Sequence, residues 1–178
     1  MSESRMLVLE RDGVVLVELS GVVEQPLDFN ALASRAVLMN LQHTRRITSF
    51  GVRAWRTGIN TLSPPVYFIG ARPLWVAHFN TTAGFAGCGE LLSLFLPYAC
   101  QQCKNFFEVL WDRRVVGPFD GSSRVPQPQT CPRCRGSADF DDVPNAYFAC
   151  CARQALTPRS PALDALIDSE HLRASAPT

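Results

Sequence analysis

The sequence predicts an α/β fold: a mixed sheet with an N-terminal hairpin and about three packed helices, followed by a small β-rich module. Three observations carry this. Asp12-Gly13 lies between two apolar-rich segments, Met6–Leu9 and Val14–Leu19, and glycine's tolerance of positive φ makes such a dipeptide a hairpin signal. A short apolar run at Ala36–Leu41 is followed by a helical pattern and then by a second short apolar run at Val66–Ile69. Strand, helix and strand of these lengths make a parallel, right-handed crossover. Finally, four cysteines stand as two Cys-x-x-Cys pairs, Cys100/Cys103 and Cys131/Cys134, and the chain changes character where the first pair begins. The expected division is 1–98 for the α/β domain, 99–152 for the cysteine module and 153–178 for a disordered tail.

Each element has a local reason. Gly21–Leu27, punctuated by Pro26, reads as a loop, and Asp28 is placed to cap a short helix through Arg35 that buries Phe29 and Leu32. Ala36–Leu41 is apolar throughout except for Asn40, as suits a strand covered on both faces. Val52, Trp55, Ile59 and Leu62 recur at spacings of three and four, which predicts a helix over Ser49–Leu62. Either Ser49 or Thr48 can cap it, because a hydroxyl accepts a bond from an unpaired first-turn amide. Gly58 inside this helix points to close packing on the sheet. Pro64-Pro65 ends the helix, Val66–Ile69 is a buried strand, and Pro73 starts a helix to about Asn80 with Leu74, Ala77 and His78 on one face. Thr81–Gly89 is a loop, and Leu91–Leu96 is the last strand of the first sheet. In the module, Phe107, Val109 and Trp111 alternate as in a strand, and Asp112–Thr130 is rich in Gly, Pro and Ser, hence a surface loop. Pro144–Cys151 is a short helix burying Tyr147, Phe148 and Cys151. In the tail, Leu163, Leu166 and Ile167 offer at most one helical turn or a docking segment; disorder is the expectation.

Length and composition bound the function. The chain has 178 residues, enough for one full domain and a small second one, and 47% hydrophobic against 19% charged residues describes a folded chain. A net charge of +1 argues against a broad nucleic-acid footprint. Met1–Glu10 lacks the basic start and apolar core of a leader, and Leu91–Leu96 is far too short to cross a bilayer. A cytoplasmic protein with no membrane contact is expected.

The cysteines carry the most specific chemistry. Two Cys-x-x-Cys turns bring four thiolates to one tetrahedral ion, and in a cytoplasmic chain with seven cysteines this pattern favours metal over disulfides. Zinc is the expected ion and iron the rival; paired disulfides and a redox Cys-x-x-Cys rank below both. A four-thiolate site is closed to substrate, so its role is structural. Cys88, Cys150 and Cys151 read as buried packing. His43, His78 and His171 stand beside no matching nucleophile pattern, with His43 in a loop, and no catalytic residue is expected.

The second candidate site is the start of the Ser49–Leu62 helix. A hydroxyl at a helix N-terminus, flanked by Arg45, Arg46, Arg53 and Arg56, would favour a phosphate or another anion. A phosphate on Ser49 would act as a binding switch; a plain capped surface helix is the simpler alternative. Ser49, Gly51, Arg53, Arg56 and Asn60 make up the candidate partner surface.

These features resemble the STAS domain, the module of sulfate-transporter tails and anti-sigma-factor antagonists. The resemblance covers about Met6 to Tyr98 and rests on the opening hairpin, on Gly-Val-Val-Leu-Val-Glu-Leu-Ser-Gly at Gly13–Gly21, and on the strand-turn-helix. In that family the turn reads Asp-Ser-Ser/Thr-Gly, and its first Ser is phosphorylated by a partner kinase. Here it reads Thr48-Ser49-Phe50-Gly51: Ser49 and Gly51 match, Thr48 replaces the acid and Phe50 the second hydroxyl residue. The later segments, Asn80–Gly89 and Leu92–Cys100, look like a bacterial subgroup with a STAS domain followed by a zinc ribbon. The resemblance implies a non-catalytic regulatory protein whose partner is a switch kinase, an anti-sigma factor or another STAS protein. The competing reading is a nucleic-acid-binding or transcription-associated zinc ribbon, using Arg113, Arg114, Arg124, Arg133 and Arg135 with Phe107 and Trp111. A third class, a small enzyme or thiol redox protein, predicts a reactive Cys pair.

Overall fold

The computed structural model describes residues 5–11, 13–32, 35–63, 65–116, 126–154 and 156–174. Strands β1 (Arg5–Arg11) and β2 (Val14–Val23) form the predicted antiparallel hairpin. Gly13 sits in the turn at φ +77°, whereas Asp12 lies outside the described residues. β2 runs on through Gly21–Val23, which had read as a loop. Gly21, at φ +78°, stands where the register with the next strand shifts, so it accommodates a bulge and not a chain reversal. A single 3-10 turn, Asn30–Leu32, replaces the expected short helix; Asp28 still accepts the Asn30 amide at 3.0 Å, and Phe29 and Leu32 are buried.

Strand β3 (Ala36–Ile47) is twice the expected length. Its polar second half, including His43, is strand because it pairs in parallel with the end of β2. Helix α1 (Ser49–Ile59) follows, and then β4 (Val66–Ile69), parallel to β3 as the crossover demands. Pro64 lies outside the described residues. Helix α2 (Pro73–Thr81) starts at the predicted proline, but its buried residues are Trp75, Val76 and Phe79, not Leu74, Ala77 and His78.

The expected last strand divides. β5 (Glu90–Leu91) completes a five-stranded sheet in the order β1-β2-β3-β4-β5, while β6 (Ser93–Cys100) enters a second sheet. That sheet is antiparallel, in the order β7-β6-β9-β8, with β7 (Phe106–Asp112), β8 (Gln129–Thr130) and β9 (Ser137–Phe140). The two sheets are joined through backbone: Leu92 donates to the Phe68 carbonyl at 2.8 Å, and Ala71 bridges Leu94. After β7 comes a helical turn, α3 (Arg113–Val116), where only loop was expected; residues 117–125 of that loop lie outside the described ones. Two further turns, α4 (Pro144–Tyr147) and α5 (Ala149–Ala152), bury Tyr147, Phe148, Cys150 and Cys151.

The five-stranded sheet is covered on both faces. On one, Val15, Val17, Val37, Met39 and Phe68 pack with Trp55, Ile59, Trp75 and Phe79, and this cluster continues into Tyr98, Phe148 and Cys100 of the cysteine module. Trp55 lies at its middle, with ring centroids 4.7 Å from Trp75 and 5.7 Å from both Phe29 and Phe85, and its indole N–H donates to the Phe85 carbonyl at 2.8 Å. The other face corrects the expectation of a disordered tail. Helix α6 (Pro161–Ala174) lays Leu163, Leu166 and Ile167 on Val14, Leu16, Leu38, Tyr67, Ile69 and Leu92. Among the described residues, no helix is long and apolar enough to cross a membrane.

Candidate functional site

The second sheet presents the four predicted cysteines from two turns of the same design. At the β6–β7 turn, the Cys100 amide donates to the Asn105 carbonyl at 2.9 Å and the Lys104 amide to the Cys100 carbonyl at 3.2 Å. At the β8–β9 turn, the Cys131 amide donates to Gly136 at 2.8 Å and the Arg135 amide to Cys131 at 2.9 Å. Lys104 and Arg135, each one residue past the second cysteine of its pair, adopt φ +56° and +64°. A left-handed conformation is unfavourable for residues with a side chain, and it recurs at both equivalent places. The four sulfurs lie within 4.8 Å of one another, with Cys100–Cys134 at 3.4 Å and Cys103–Cys131 at 3.7 Å. Tetrahedral bonds of about 2.3 Å to sulfur give edges of about 3.8 Å, so the cluster has the dimensions to hold a metal ion.

Electrostatics point the same way. Hydrogen bonding from the Cys103 backbone brings the Cys100 thiol down to about 6. The Gly136 amide acts in the same sense on Cys134, but the Cys100 and Cys103 sulfurs overcome it and push Cys134 up to about 12. Four thiolates so close repel one another, and a bound cation removes that conflict.

The α1 surface is the second region. The cap is Thr48, not Ser49: its Oγ1 accepts the Gly51 amide at 3.1 Å, leaving Ser49 as the exposed first residue of the helix. Gly51 is buried, and a Cβ there would fall on the Val23 carbonyl, so this glycine lets the helix begin directly over the end of β2. Gly58 likewise serves packing on Phe29 and not on the sheet itself. The inner edge of α1 buries Trp55 and Ile59, with Leu62 buried just beyond its end. Along the outer edge Phe50, 51% exposed, Arg53, Arg56 and Asn60 are exposed, and Arg45 and Arg46 are exposed near the end of β3. Asn60 has a structural duty as well, since its amide donates to the Arg56 carbonyl at 2.6 Å and to Gly84 at 2.7 Å, pinning the loop after α2.

Of the arginines that the competing reading gathers into a basic patch, Arg113 and Arg114 are not available to one. Arg113 is wholly buried. Arg114, its side chain only 10% exposed, is enclosed by Asp112 at 2.6 Å, Asp168 at 2.7 Å and Asp164 at 3.1 Å. Arg124 lies outside the described residues; Arg133 and Arg135 are exposed. Cys88, expected to be buried, is also exposed.

A polar seam beneath α6 has no counterpart in any local pattern of the chain. His171 Nε2 lies 2.8 Å from Ser93 Oγ, and His171 Nδ1 lies 3.3 Å from Asp112. The three residue types are those of a hydrolytic relay, but Ser93 is fully buried and its Oγ also accepts the Gly70 amide at 2.9 Å. The nucleophile has no open approach, and the arrangement ties α6 to the junction of the sheets. Nearby Asn40, itself buried, donates to the buried Glu170 carboxylate at 3.0 Å. Burial alone would raise the Asp112 carboxyl, but hydrogen bonds from His171 and Arg114 outweigh it and hold it well below the usual carboxylate range. These residues come together from positions far apart in the chain, which is why local pattern missed them. No protein-family model matches this chain, and no curated protein matches it.

Proposed function

We propose that this chain is a non-catalytic bacterial regulatory or scaffolding protein of STAS-like architecture. It docks a protein partner through the start and outer edge of α1, and its four cysteines hold a structural zinc ion in a ribbon. The observation that carries the reading is the exposure of Ser49, Arg53 and Arg56. The cysteine module packs towards α2, and α6 packs on the opposite face of the sheet, so neither covers the outer edge of α1. Among the described residues, no ion pair engages Arg45, Arg46, Arg53 or Arg56, so their charge is free to act outward. With the exposed ring of Phe50 beside them, they suit a partner that brings carboxylates around an apolar spot. A switch kinase, an anti-sigma factor or another STAS protein is the partner class that the sequence resemblance implies.

Zinc is preferred to iron because a closed set of four thiolates from two Cys-x-x-Cys pairs is the usual donor set of structural zinc. Its contribution would be to folding, on the order of 10 kcal/mol for such sites, in a module whose strands β8 and β9 have only two and four residues.

The test is an affinity capture with the zinc-loaded full chain as bait, comparing wild type, Arg53→Glu/Arg56→Glu and Ser49→Asp. Loss of the same captured protein in the charge-reversed bait supports docking at α1, and an unchanged set in both variants overturns it. Metal analysis should return about one zinc per chain, with the four thiols unreactive until a chelator is added; four freely reactive thiols in the purified protein would remove the zinc site. A steeply salt-dependent gel shift with DNA or RNA would replace this reading with a nucleic-acid one.

A further inference from the structure

The two edges of the five-stranded sheet are finished differently. At β5 side chains close the backbone. Gln154 accepts the Leu91 amide at 3.1 Å and donates to the Gly89 carbonyl at 3.0 Å, and Arg113 donates to the Leu91 carbonyl at 2.5 Å. Among the described residues β1 has no such closure and pairs with β2 alone. Only two residues separate Arg11 from Val14, so this pair exchanges both of its bonds, and the alternation runs unbroken back to Arg5 and Ser20. Arg5, Leu7, Leu9 and Arg11 therefore direct their backbone groups to β2, while those of Met6, Val8 and Glu10 point away from the sheet.

This edge also lacks the usual obstacles to pairing. It has no proline, no lysine and no bulge, and Leu7 and Val8 are 49% and 41% exposed. Its sequence, Arg-Met-Leu-Val-Leu-Glu-Arg, reads almost the same in both directions about Val8. Two antiparallel copies related by a twofold axis at Val8 set Val8 against Val8, Leu7 against Leu9 and Met6 against Glu10. In this register every outward amide and carbonyl of Met6, Val8 and Glu10 finds a partner. Any slip that keeps each side chain on its own face leaves Met6 or Glu10 facing past the end of the other strand.

We propose that β1 is a self-association edge: it pairs antiparallel with β1 of a second copy of this chain, centred on Val8, and joins two five-stranded sheets into one. Met6 packs with the cluster around Trp55 and Leu9 with the cluster beneath α6. Val8 therefore shares the α1 face with Met6, and Leu7 the α6 face with Leu9, so both apolar layers continue across the join. The symmetry about Val8 is what selects a second copy as the occupant. A foreign strand would use the open backbone, but it would not call for a pattern that matches itself when reversed. The same register limits the strength, because Arg5 stands opposite Arg11 at each end and directly opposed like charges weaken a strand pair. One strand from each copy also buries less than a standard interface, so the dimer is reversible.

The experiment is sedimentation velocity on the full chain over roughly 5 to 500 μM, under reducing conditions so that exposed Cys88 forms no crosslink. A concentration-dependent dimer is expected, with a dissociation constant on the order of 10–100 μM. Val8→Pro removes an outward amide that bonds nothing within the sheet; it should raise the constant at least about tenfold and leave the far-UV circular dichroism unchanged. Charge reversal gives a reading that does not depend on that variant folding. Arg5→Glu and Arg11→Glu should each tighten the dimer about tenfold, because both ends of the pairing exchange repulsion for attraction. The double variant should return close to the wild-type constant. A chain that stays monomeric throughout the range, a folded Val8→Pro that dimerises like wild type, or single charge reversals that fail to tighten the dimer overturns the proposal.

Discussion

Helices α1 and α6 lie on opposite faces of one sheet, and they use their charges in opposite ways. α1 buries Trp55 and Ile59 and leaves Arg53 and Arg56 in solvent. α6 buries Leu163, Leu166 and Ile167, and then turns most of its charged groups inward or sideways onto the fold. Asp164 and Asp168 meet Arg114, Glu170 meets Asn40, His171 meets Ser93 and Asp112, and Arg173 reaches Glu170 at 3.0 Å and Glu18 at 3.9 Å. One helix is a surface with its charge unspent; the other is a cover fastened by charge. A charged residue on a helix therefore says little about exposure until its partners are known, and a partner site is better sought where ion pairs are missing than where charges are many.

The contrast can be broken hardest at Ile167, which is fully buried. Ile167→Asp should lift α6 and cost at least about 4 kcal/mol, from lost burial and a carboxylate without a partner; urea unfolding reads the loss. Next comes the fastening. Arg114→Ala leaves Asp112 with His171 and the backbone amide of residue 114 and should cost about 2–4 kcal/mol, whereas reversal of Arg53, at an exposed site, should stay within about 0.5 kcal/mol. The same seam has a pH signature. A carboxyl whose folded pKa is depressed, as Asp112's is, stabilises the fold fully above its unfolded value near 4 and loses that contribution as pH falls further towards the folded value. Wild type should accordingly lose stability below about pH 4 more steeply than Asp112→Asn. Thr48→Ala removes the cap that starts α1 and should cost about 1 kcal/mol in the same unfolding assay, with Ser49→Ala closer to neutral because Ser49 is not the cap. The smallest change in stability, that of Arg53→Glu/Arg56→Glu, should coincide with the largest change in partner capture. If α1 were merely a capped surface helix, capture would not move.

Much of the α/β part was legible because its cause is local. The hairpin, the strand-helix-strand unit and the proline at the start of α2 are each written within a dozen or so residues, and the four cysteines carry their spacing openly. What escaped has non-local causes. Gly21 looked like a breaker because its bulge depends on pairing with β3. The strand after Leu91 changes sheets at Leu92, a choice set by β7 and β9 and not by its own apolar run. The α6 segment looked too polar to fold, since the residues that satisfy its acids, Arg114 and Asn40, are remote in sequence. Arg113 and Arg114 looked like a basic patch beside Trp111, although the former is sealed inside and the latter is neutralised by three aspartates.

Only Leu92 separates β5 from β6, and the Ala71 carbonyl receives the Phe95 amide at 2.9 Å across that junction. So short a join leaves no slack for a hinge. A molecule reaching from the arginines of α1 to the cysteine knuckles would meet two anchor points at a set separation, as on a ruler. The orientational entropy of lining them up would already have been surrendered when the chain folded.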